Sequence, residues 1–215
     1  MNHQDFQRAR SPQAKAARRH AILAAASDLL ASKGLDGTTL NAIALEAGVA
    51  KSNIYRYFES REEILMRLLA KDLLAVSQTL AVSLPAPLPP AAVAEILASG
   101  LADKPRLCRL ISITASTLEH NISTDTLREI KRDMIAALTR TADALRQSLP
   151  ALSPEDAENA VKILFALVAG LWPLGAPGQA LKTLYQEPEF SRFGQEFHSA
   201  LAFATQTLLR GLLKA

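Results

Sequence analysis

Residues 51–58 concentrate side chains that can recognise nucleic acid. Ile54 and Phe58 are four positions apart, the spacing of two apolar anchors on one face of a helix. The other positions from residue 51 to 57 are basic, hydrogen-bonding or aromatic: Lys51, Ser52, Asn53, Tyr55, Arg56 and Tyr57. Guanidinium and amide groups pair with base edges in the major groove, and a helix fits that groove. The segment therefore predicts a helix that is anchored from behind and presents a face suited to DNA.

An apolar stripe lies directly before this segment. Its members recur at the i, i+3, i+4 and i+7 spacing of a short amphipathic helix: Leu40, Ile43, Ala44 and Ala47. Gly48 follows at once, and glycine readily takes the positive φ of a sharp turn between helices. The two segments together predict a helix-turn-helix over residues 38–58.

Further helices are predicted on both sides of this motif. Pro12 can open a first helix that runs to about residue 32, where Gly34 is placed to end it. Its apolar face should pack across the helix-turn-helix and complete a three-helix core over residues 12–60. Ser60 and Glu63 have the spacing of a capping box, which predicts a long connecting helix over residues 61–84. Residues 1–11 are predicted to be a disordered basic arm, either a solvated tail or a segment that lies along DNA.

The remaining chain, residues 85–215, is predicted to be a helical bundle. A proline-rich break at residues 85–90 separates it from the connecting helix. Apolar periodicity and helix stop signals predict helices at about 91–99 (ended by Gly100), 105–119, 124–149 (capped by Ser123 or Thr124) and 154–172. A break is predicted at residues 173–178 and a last helix from about residue 188. Because no strand alternation is present, the fold class is predicted to be all-α.

Charge, cysteine content and spacing limit the possible functions. Residues 1–71 hold 11 Lys and Arg against 7 Asp and Glu, whereas residues 72–215 hold 13 against 14, so polyanion binding is expected in the first third. The lone Cys108 cannot form an internal disulfide, and no signal peptide is recognisable, so a cytoplasmic location is expected. The four histidines are scattered without ligand spacing, so we expect neither a metal site nor a cofactor. The apolar run at residues 161–174 is short and contains Lys162, so it predicts a buried helix and no membrane association.

The run TTLNAIALEAGVAKSNIYRYFESREEIL, residues 38–65, resembles the DNA-binding signature of TetR-family transcriptional regulators. In that family a threonine pair precedes a short helix, Ile-Ala and Ala-Gly-Val form its core and turn, and the recognition helix ends in Tyr and Phe. The resemblance covers roughly residues 15–70. The matching residues are Thr38, Thr39, Ile43, Ala44, Ala47, Gly48, Val49, Ile54, Tyr55, Phe58, Ser60, Arg61 and Glu62.

The resemblance implies an architecture and a function. It implies an N-terminal three-helix DNA-binding domain followed by a C-terminal helical domain that binds a small-molecule effector and dimerises. The expected protein is a ligand-responsive homodimeric regulator, a repressor that the effector releases from a palindromic operator of double-stranded DNA. Lys51, Ser52, Asn53 and Arg56 are then expected in the groove. The expected phosphate contacts are Thr39, Tyr57 and Arg61, and Tyr55 is either a phosphate contact or a half-buried packing residue.

The sequence departs from the family pattern at two positions of this motif. Ala50 stands where the family usually has a serine or threonine to cap the recognition helix, and such a cap typically contributes about 1 kcal/mol. Either Ser52 replaces this cap or DNA itself orders the helix. Asn41 stands where a basic side chain is common, and an asparagine can pair with adenine. Both departures bear on the operator sequence rather than on DNA binding itself.

The C-terminal domain offers weaker clues. Cys108, His120, Phe165 and Trp172 are unusual residues among leucines and alanines, and they are the candidates for an effector pocket, although each also suits a structural role. The resemblance implies a dimer interface formed by the last two long helices, with candidates Val161, Val168, Phe193, Phe197, Leu201 and Leu208. Two other function classes remain open: a helical adaptor without operator-specific binding, and a helical enzyme. The sequence shows no nucleophile motif or phosphate-binding glycine loop, so we expect no enzymatic activity.

Overall fold

The computed structural model describes residues 12–85 and 87–214, and this part of the chain folds into helices joined by short turns, without a strand. The fold class is therefore all-α, as the sequence predicts. A π-helical turn at Thr114–Leu118 and a 3-10 turn at Ser191–Phe193 interrupt the series of α-helices. The α-helices are α1 (Pro12–Gly37), α2 (Leu40–Glu46), α3 (Lys51–Ile54), α4 (Arg61–Ser83), α5 (Pro90–Ala102), α6 (Pro105–Ile113), α7 (Thr124–Ser148), α8 (Pro154–Gly175), α9 (Gln179–Leu184) and α10 (Phe197–Leu212). The predicted arm at residues 1–11 lies outside the described residues.

The chain divides into two compact units. The first unit extends to Leu68 and also contains Ser116–Arg128, and the second contains Leu69–Ala115 and the chain from Glu129 onward. This division differs from the prediction of an undivided C-terminal domain over residues 85–215. The segment Ser116–Arg128, which lies in the first unit, donates hydrogen bonds to a carboxylate of that unit, as described below.

The first unit is a small helical core built on α1. The buried side chains of α1 are Ile22, Ala25, Ala26, Leu29 and Leu30, and this face packs against α2, which in turn packs against α3. Gly34 has a φ of 68°, so the regular helix from Pro12 breaks there as the sequence predicts, and a further helical turn beyond this kink continues to Gly37. Thr38 stabilises this kink because its hydroxyl donates to the Gly34 carbonyl at 2.7 Å.

The second unit is a helical bundle. Within it, α10 packs against both α5 and α8, α6 packs against α8, and α5 contacts α6. By length and hydropathy alone, α8 also qualifies as a membrane-crossing helix. It packs against α6 and α10 within the bundle, although only 28% of its most apolar stretch is buried, so it is less buried than the sequence predicts.

Three helix boundaries in the second unit differ from the prediction. Gly100 lies inside α5, and a Cβ there would meet the end of the Leu80 side chain, Cδ2, at 2.9 Å. Pro173 likewise lies inside α8, which continues to Gly175. The last long helix begins at Phe197 rather than near residue 188. Glu196 sets that start, since its carboxylate accepts from the amides of His198 (2.9 Å) and Ser199 (2.7 Å).

Candidate functional site

The recognition helix α3 is a single turn held by two buried anchors. It covers Lys51–Ile54 and is followed by turn residues, so it is shorter than the sequence predicts. Ile54 is 0% exposed and Phe58 is 2% exposed. Gly48 has a φ of 63°, which gives the sharp turn between α2 and α3. The helix-turn-helix therefore forms at the predicted place and by the predicted packing.

The outer face of α3 presents polar side chains to solvent. The exposed residues are Lys51, Ser52, Asn53, Tyr55 and Arg56. All five belong to the predicted DNA-binding set. Their side chains combine two cations, two hydrogen-bonding groups and an aromatic ring on one short segment, which suits base edges and phosphates.

The N-terminus of α3 has no side-chain cap. Ala50 occupies the N-cap position with extended backbone angles, and no side chain accepts from the first amides of the helix. Ser52 lies inside the helix, so it does not take over the capping role. In contrast, Thr39 caps α2, because its hydroxyl accepts from the Ala42 amide at 3.2 Å. Thr39 and Asn41 are both exposed at that helix start.

One of the predicted phosphate contacts, Arg61, has a structural role within the protein. Arg61 is half-buried, and its Nη2 donates to the Leu35 carbonyl at 2.5 Å. Its Nε is buried without a hydrogen-bond partner. Tyr57 is also half-buried, and its carbonyl accepts from Arg19. This geometry favours a role for Arg61 in joining α1 to the start of α4, rather than the expected phosphate contact.

Arg19 and Glu63 form a charged junction behind the helix-turn-helix that the sequence interpretation missed. The Arg19 guanidinium lies 4.5 Å from the centre of the Phe58 ring and 3.8 Å from Glu63 Oε1. Glu63, which is 2% exposed, also accepts from Arg67 Nε at 2.7 Å and from the Glu59 amide at 2.6 Å. The Glu63 amide binds Ser60 Oγ at 3.0 Å, so the predicted capping box is present in a form that reaches back to Glu59.

Glu59 in turn holds the start of α7. Its carboxylate accepts from the Ser123 amide (2.9 Å), the Ser123 hydroxyl (2.8 Å) and the Thr126 hydroxyl (2.6 Å). The Thr126 hydrogen bond, followed by those from Ser123, lowers the pKa of Glu59 below its usual value. Ser123 Oγ also accepts from the Thr126 amide at 3.3 Å, which confirms Ser123 as the predicted cap of α7.

The second unit contains an apolar cavity between its helices. It has about 410 Å³ of space between atoms, part of which is open to solvent. Helix α4 contributes Leu73, Val76 and Leu80, and α8 contributes Val161, Leu164, Phe165 and Val168. The other walls are formed by Leu101, Ile111, Ala137, Leu138 and Thr141. Thr141 is the one residue in this lining with a polar side-chain atom.

Among the predicted pocket residues, only Phe165 lines this cavity. Trp172 instead packs edge-on against Phe197, with ring centres 5.0 Å apart and an interplanar angle of 84°. Cys108 is fully buried and its thiol donates to the Leu101 carbonyl at 3.3 Å. Burial raises the pKa of Cys108 to about 12, so the thiol stays protonated. His120 is exposed in the segment that belongs to the first unit and is not among the residues that line the cavity.

Most of the predicted dimer residues face the interior of the protomer. Val161, Val168, Phe197 and Leu201 are at most 6% exposed, because they fill the packing between the bundle helices. Their side chains are therefore not available to a partner in this conformation. Leu208 is half-buried, and Phe193 is exposed in the 3-10 turn.

In residues 12–85 and 87–214, no three His, Cys, Asp or Glu side chains come together as metal ligands.

Comparison with known proteins identifies the family. Residues 22–68 match the family model "Bacterial regulatory proteins, tetR family", and residues 66–215 match "Tetracyclin repressor-like, C-terminal domain". The boundary between the two matched regions coincides with the division between Leu68 and Leu69 in the structure. No similar curated protein is found by sequence.

Several solved structures share the fold at low sequence identity. A putative TetR-family transcriptional regulator from Mesorhizobium loti is 17% identical to this chain with a TM-score of 0.53. The match covers 93% of this chain and 96% of the Mesorhizobium loti chain. A transcriptional regulator from Rhodococcus is 23% identical with a TM-score of 0.54, covering 90% and 96%. The regulator FadR from Bacillus subtilis, solved in complex with stearoyl-CoA, is 17% identical with a TM-score of 0.53, covering 88% and 96%. Because the two family models together span residues 22–215, the chain belongs to the TetR family and is a ligand-responsive, DNA-binding transcriptional regulator.

Proposed function

We propose that this regulator is a homodimeric repressor that leaves a near-palindromic operator when a small molecule occupies the cavity of its second unit. The observation that carries the proposal is the exposed polar face of α3 above two buried anchors, Ile54 and Phe58. The protein would act in the cytoplasm, on chromosomal DNA, and without catalysis. The effector would shift the protein between states of different operator affinity.

In this proposal, Asn53 and Arg56 read base edges. Both are exposed, so their side chains are accessible to DNA. An arginine pairs bidentately with guanine, and an asparagine with adenine. Lys51 and Thr39 fit contacts to the phosphate backbone, which position the protein without reading sequence.

The proposed dimer uses the outer faces of α8 and α10. Only 28% of the most apolar 18-residue stretch of α8 is buried within the protomer. The rest is an apolar surface that a second copy can cover. Ile163 and Leu174 on α8 are 41% and 55% exposed, and Phe203 on α10 is 72% exposed. These exposed residues replace the buried Val161, Val168, Phe197 and Leu201 as interface candidates.

Operator selection tests this function. Purified protein is used to enrich binding sites from a random duplex library, and the enriched sequences are mapped by footprinting. We expect an inverted repeat whose two halves lie about one helical turn apart or a multiple of it, because the two recognition helices of a dimer are related by a two-fold axis. A panel of charged and uncharged metabolites and drugs is then tested for release. Enrichment of no motif, together with a low salt slope, would favour the helical adaptor instead.

A further inference from the structure

We infer that the cavity of the second unit accepts an uncharged, mainly apolar small molecule and rejects its charged analogues. This inference rests on the proposed function, because it names the chemical class of the proposed effector. It concerns ligand chemistry alone and is independent of which operator the protein recognises.

The lining of the cavity is almost entirely hydrocarbon. Leu73, Val76 and Leu80 project from one helix, and Leu164, Phe165 and Val168 project from another. No Asp, Glu, Lys, Arg or His belongs to this lining. A charged group transferred from water into such a site loses its hydration and gains no opposite charge. The cavity therefore selects against anions and cations.

The single polar contact is limited in what it can offer. Thr141 is 7% exposed, and its hydroxyl already donates to the Ala137 carbonyl at 3.0 Å. Its oxygen can still accept a hydrogen bond, so a ligand with one donor fits this wall better than one with several polar groups. The class is thus an apolar body that carries at most one hydrogen-bond donor at this position.

The basic residue next to Thr141 on α7 does not neutralise a negatively charged ligand in the cavity. Arg140 precedes Thr141 but is not part of the cavity wall, and its Nη1 donates to Ser77 Oγ at 3.4 Å. Much of the cavity consists of narrow crevices between side chains, so a ligand has to push flexible side chains such as Leu73 aside. Such displacement changes the packing of α4, which gives the ligand a mechanical route to alter the conformational equilibrium.

Two dyes that share one skeleton provide the test. N-phenylnaphthylamine is neutral and carries one N–H donor, whereas anilinonaphthalenesulfonate has the same rings with an added sulfonate. Dye fluorescence is titrated with the purified full-length protein. We expect saturable binding of the neutral dye at one site per protomer, and binding of the sulfonate that is at least about 100-fold weaker. Affinities of the two dyes within tenfold of each other would overturn the inference.

Substitutions on neighbouring positions of α7 locate the site. Ala137 is 1% exposed and lines the cavity, whereas the neighbouring Ala136 is exposed and does not belong to the cavity lining. Ala137→Phe should weaken the neutral dye at least tenfold, and the matched control Ala136→Phe should leave it unchanged. If circular dichroism shows that Ala137→Phe does not fold, Ala137→Val provides a smaller filling change, with an expected loss of a few-fold. Equal effects at positions 136 and 137 would show that the dye binds elsewhere and overturn the assignment.

The outcome is separable from that of the proposed function. Dye binding is measured without DNA, and operator selection is performed without ligand. A protein that selects an operator but binds both dyes equally would keep the proposed function and lose this inference. A protein that prefers the neutral dye but selects no operator would keep this inference and lose the proposed function.

Discussion

The carboxylate of Glu59 accepts hydrogen bonds from both the amide and the hydroxyl of Ser123, a residue 64 positions further along the chain. Glu59 lies directly after the recognition helix segment, and Ser123 is the cap of α7. Both residues lie in the first compact unit, which contains Ser116–Arg128 as well as the helix-turn-helix. The start of α7 is thereby fixed to the DNA-binding unit by one ionised side chain.

Glu59→Gln should lower thermal stability in a pH-dependent way. The pKa of Glu59 is lowered in the folded protein, chiefly by the hydrogen bond from Thr126, so its stabilisation is present above the unfolded value of 4.5. That stabilisation is lost as the pH falls through the lowered folded value. We therefore expect the melting temperatures of wild type and variant to differ near pH 7 and to converge in acid.

A double variant tests the contact itself. Because Glu59 and Ser123 share one interaction, adding Ser123→Ala to Glu59→Gln should lower stability by less than the sum of the two single effects, and full additivity would contradict the contact.

Arg56→Ala should weaken specific operator binding by roughly 1–3 kcal/mol, since it removes a candidate contact to base edges. The measurement is a titration of the selected operator at fixed salt. Lys33→Ala is the control, because Lys33 is an exposed cation of α1 outside the recognition face. Unchanged operator affinity for the Arg56 variant would remove this residue from the reading face.

Arg61→Ala should destabilise the fold without changing the salt dependence of DNA binding. Its Nη2 holds the Leu35 carbonyl, and loss of such a charged hydrogen bond at a half-buried position costs about 1–2 kcal/mol. Denaturant unfolding and salt-dependent titrations are measured on the same preparation. A decrease of about one in the salt slope with unchanged stability would restore the phosphate contact inferred from the family pattern.

Ala50→Ser should strengthen the recognition helix, because it supplies the missing side-chain cap. We expect a gain of up to about 1 kcal/mol and slower amide exchange at residues 51–53 in the free protein. Ser52→Ala is the matched control, since Ser52 lies inside α3 and caps nothing. Strong amide protection of residues 51–53 in the DNA-free wild type would show that this helix start is already ordered without a cap.

Phe203→Asp should convert the dimer to monomer, because it places a charge on the exposed apolar face of α10. Phe203 is 72% exposed in the protomer, so folding itself should be little affected. Sedimentation at several protein concentrations measures the change. Val82→Asp is the comparison, as Val82 is a similarly exposed apolar residue (78%) on α4. A variant at position 203 that sediments like wild type would place the interface elsewhere.

The helix-turn-helix was predictable because its determinants are local. The stripe from Leu40 to Ala47, the positive φ of Gly48 and the anchors Ile54 and Phe58 all act within about one or two helical turns. The contacts of Glu59 with Ser123 and of Arg19 with Tyr57 were not predictable, because helical periodicity marks an apolar face without identifying its partner.

The errors in the second unit have equally specific causes. Gly100 has the sequence appearance of a helix stop, yet α5 continues through it to Ala102 and the Leu80 side chain packs closely over it. The start of α10 depends on Glu196, which uses its carboxylate as a cap although glutamate is not among the common capping residues. The predicted dimer residues followed the most regular apolar stripes, and in this bundle those stripes form the protomer core.

The edge-on contact between Trp172 and Phe197 gives the molecule a built-in optical signal. The sequence holds one tryptophan, and it lies on the helix whose preceding turns supply Phe165 and Val168 to the cavity wall. Any rearrangement of α8 against α10 alters the surroundings of this indole ring. Ligand binding to the cavity of the second unit should therefore change the tryptophan fluorescence of the unlabelled protein. Phe197→Leu should change the emission spectrum of Trp172 before any ligand is added.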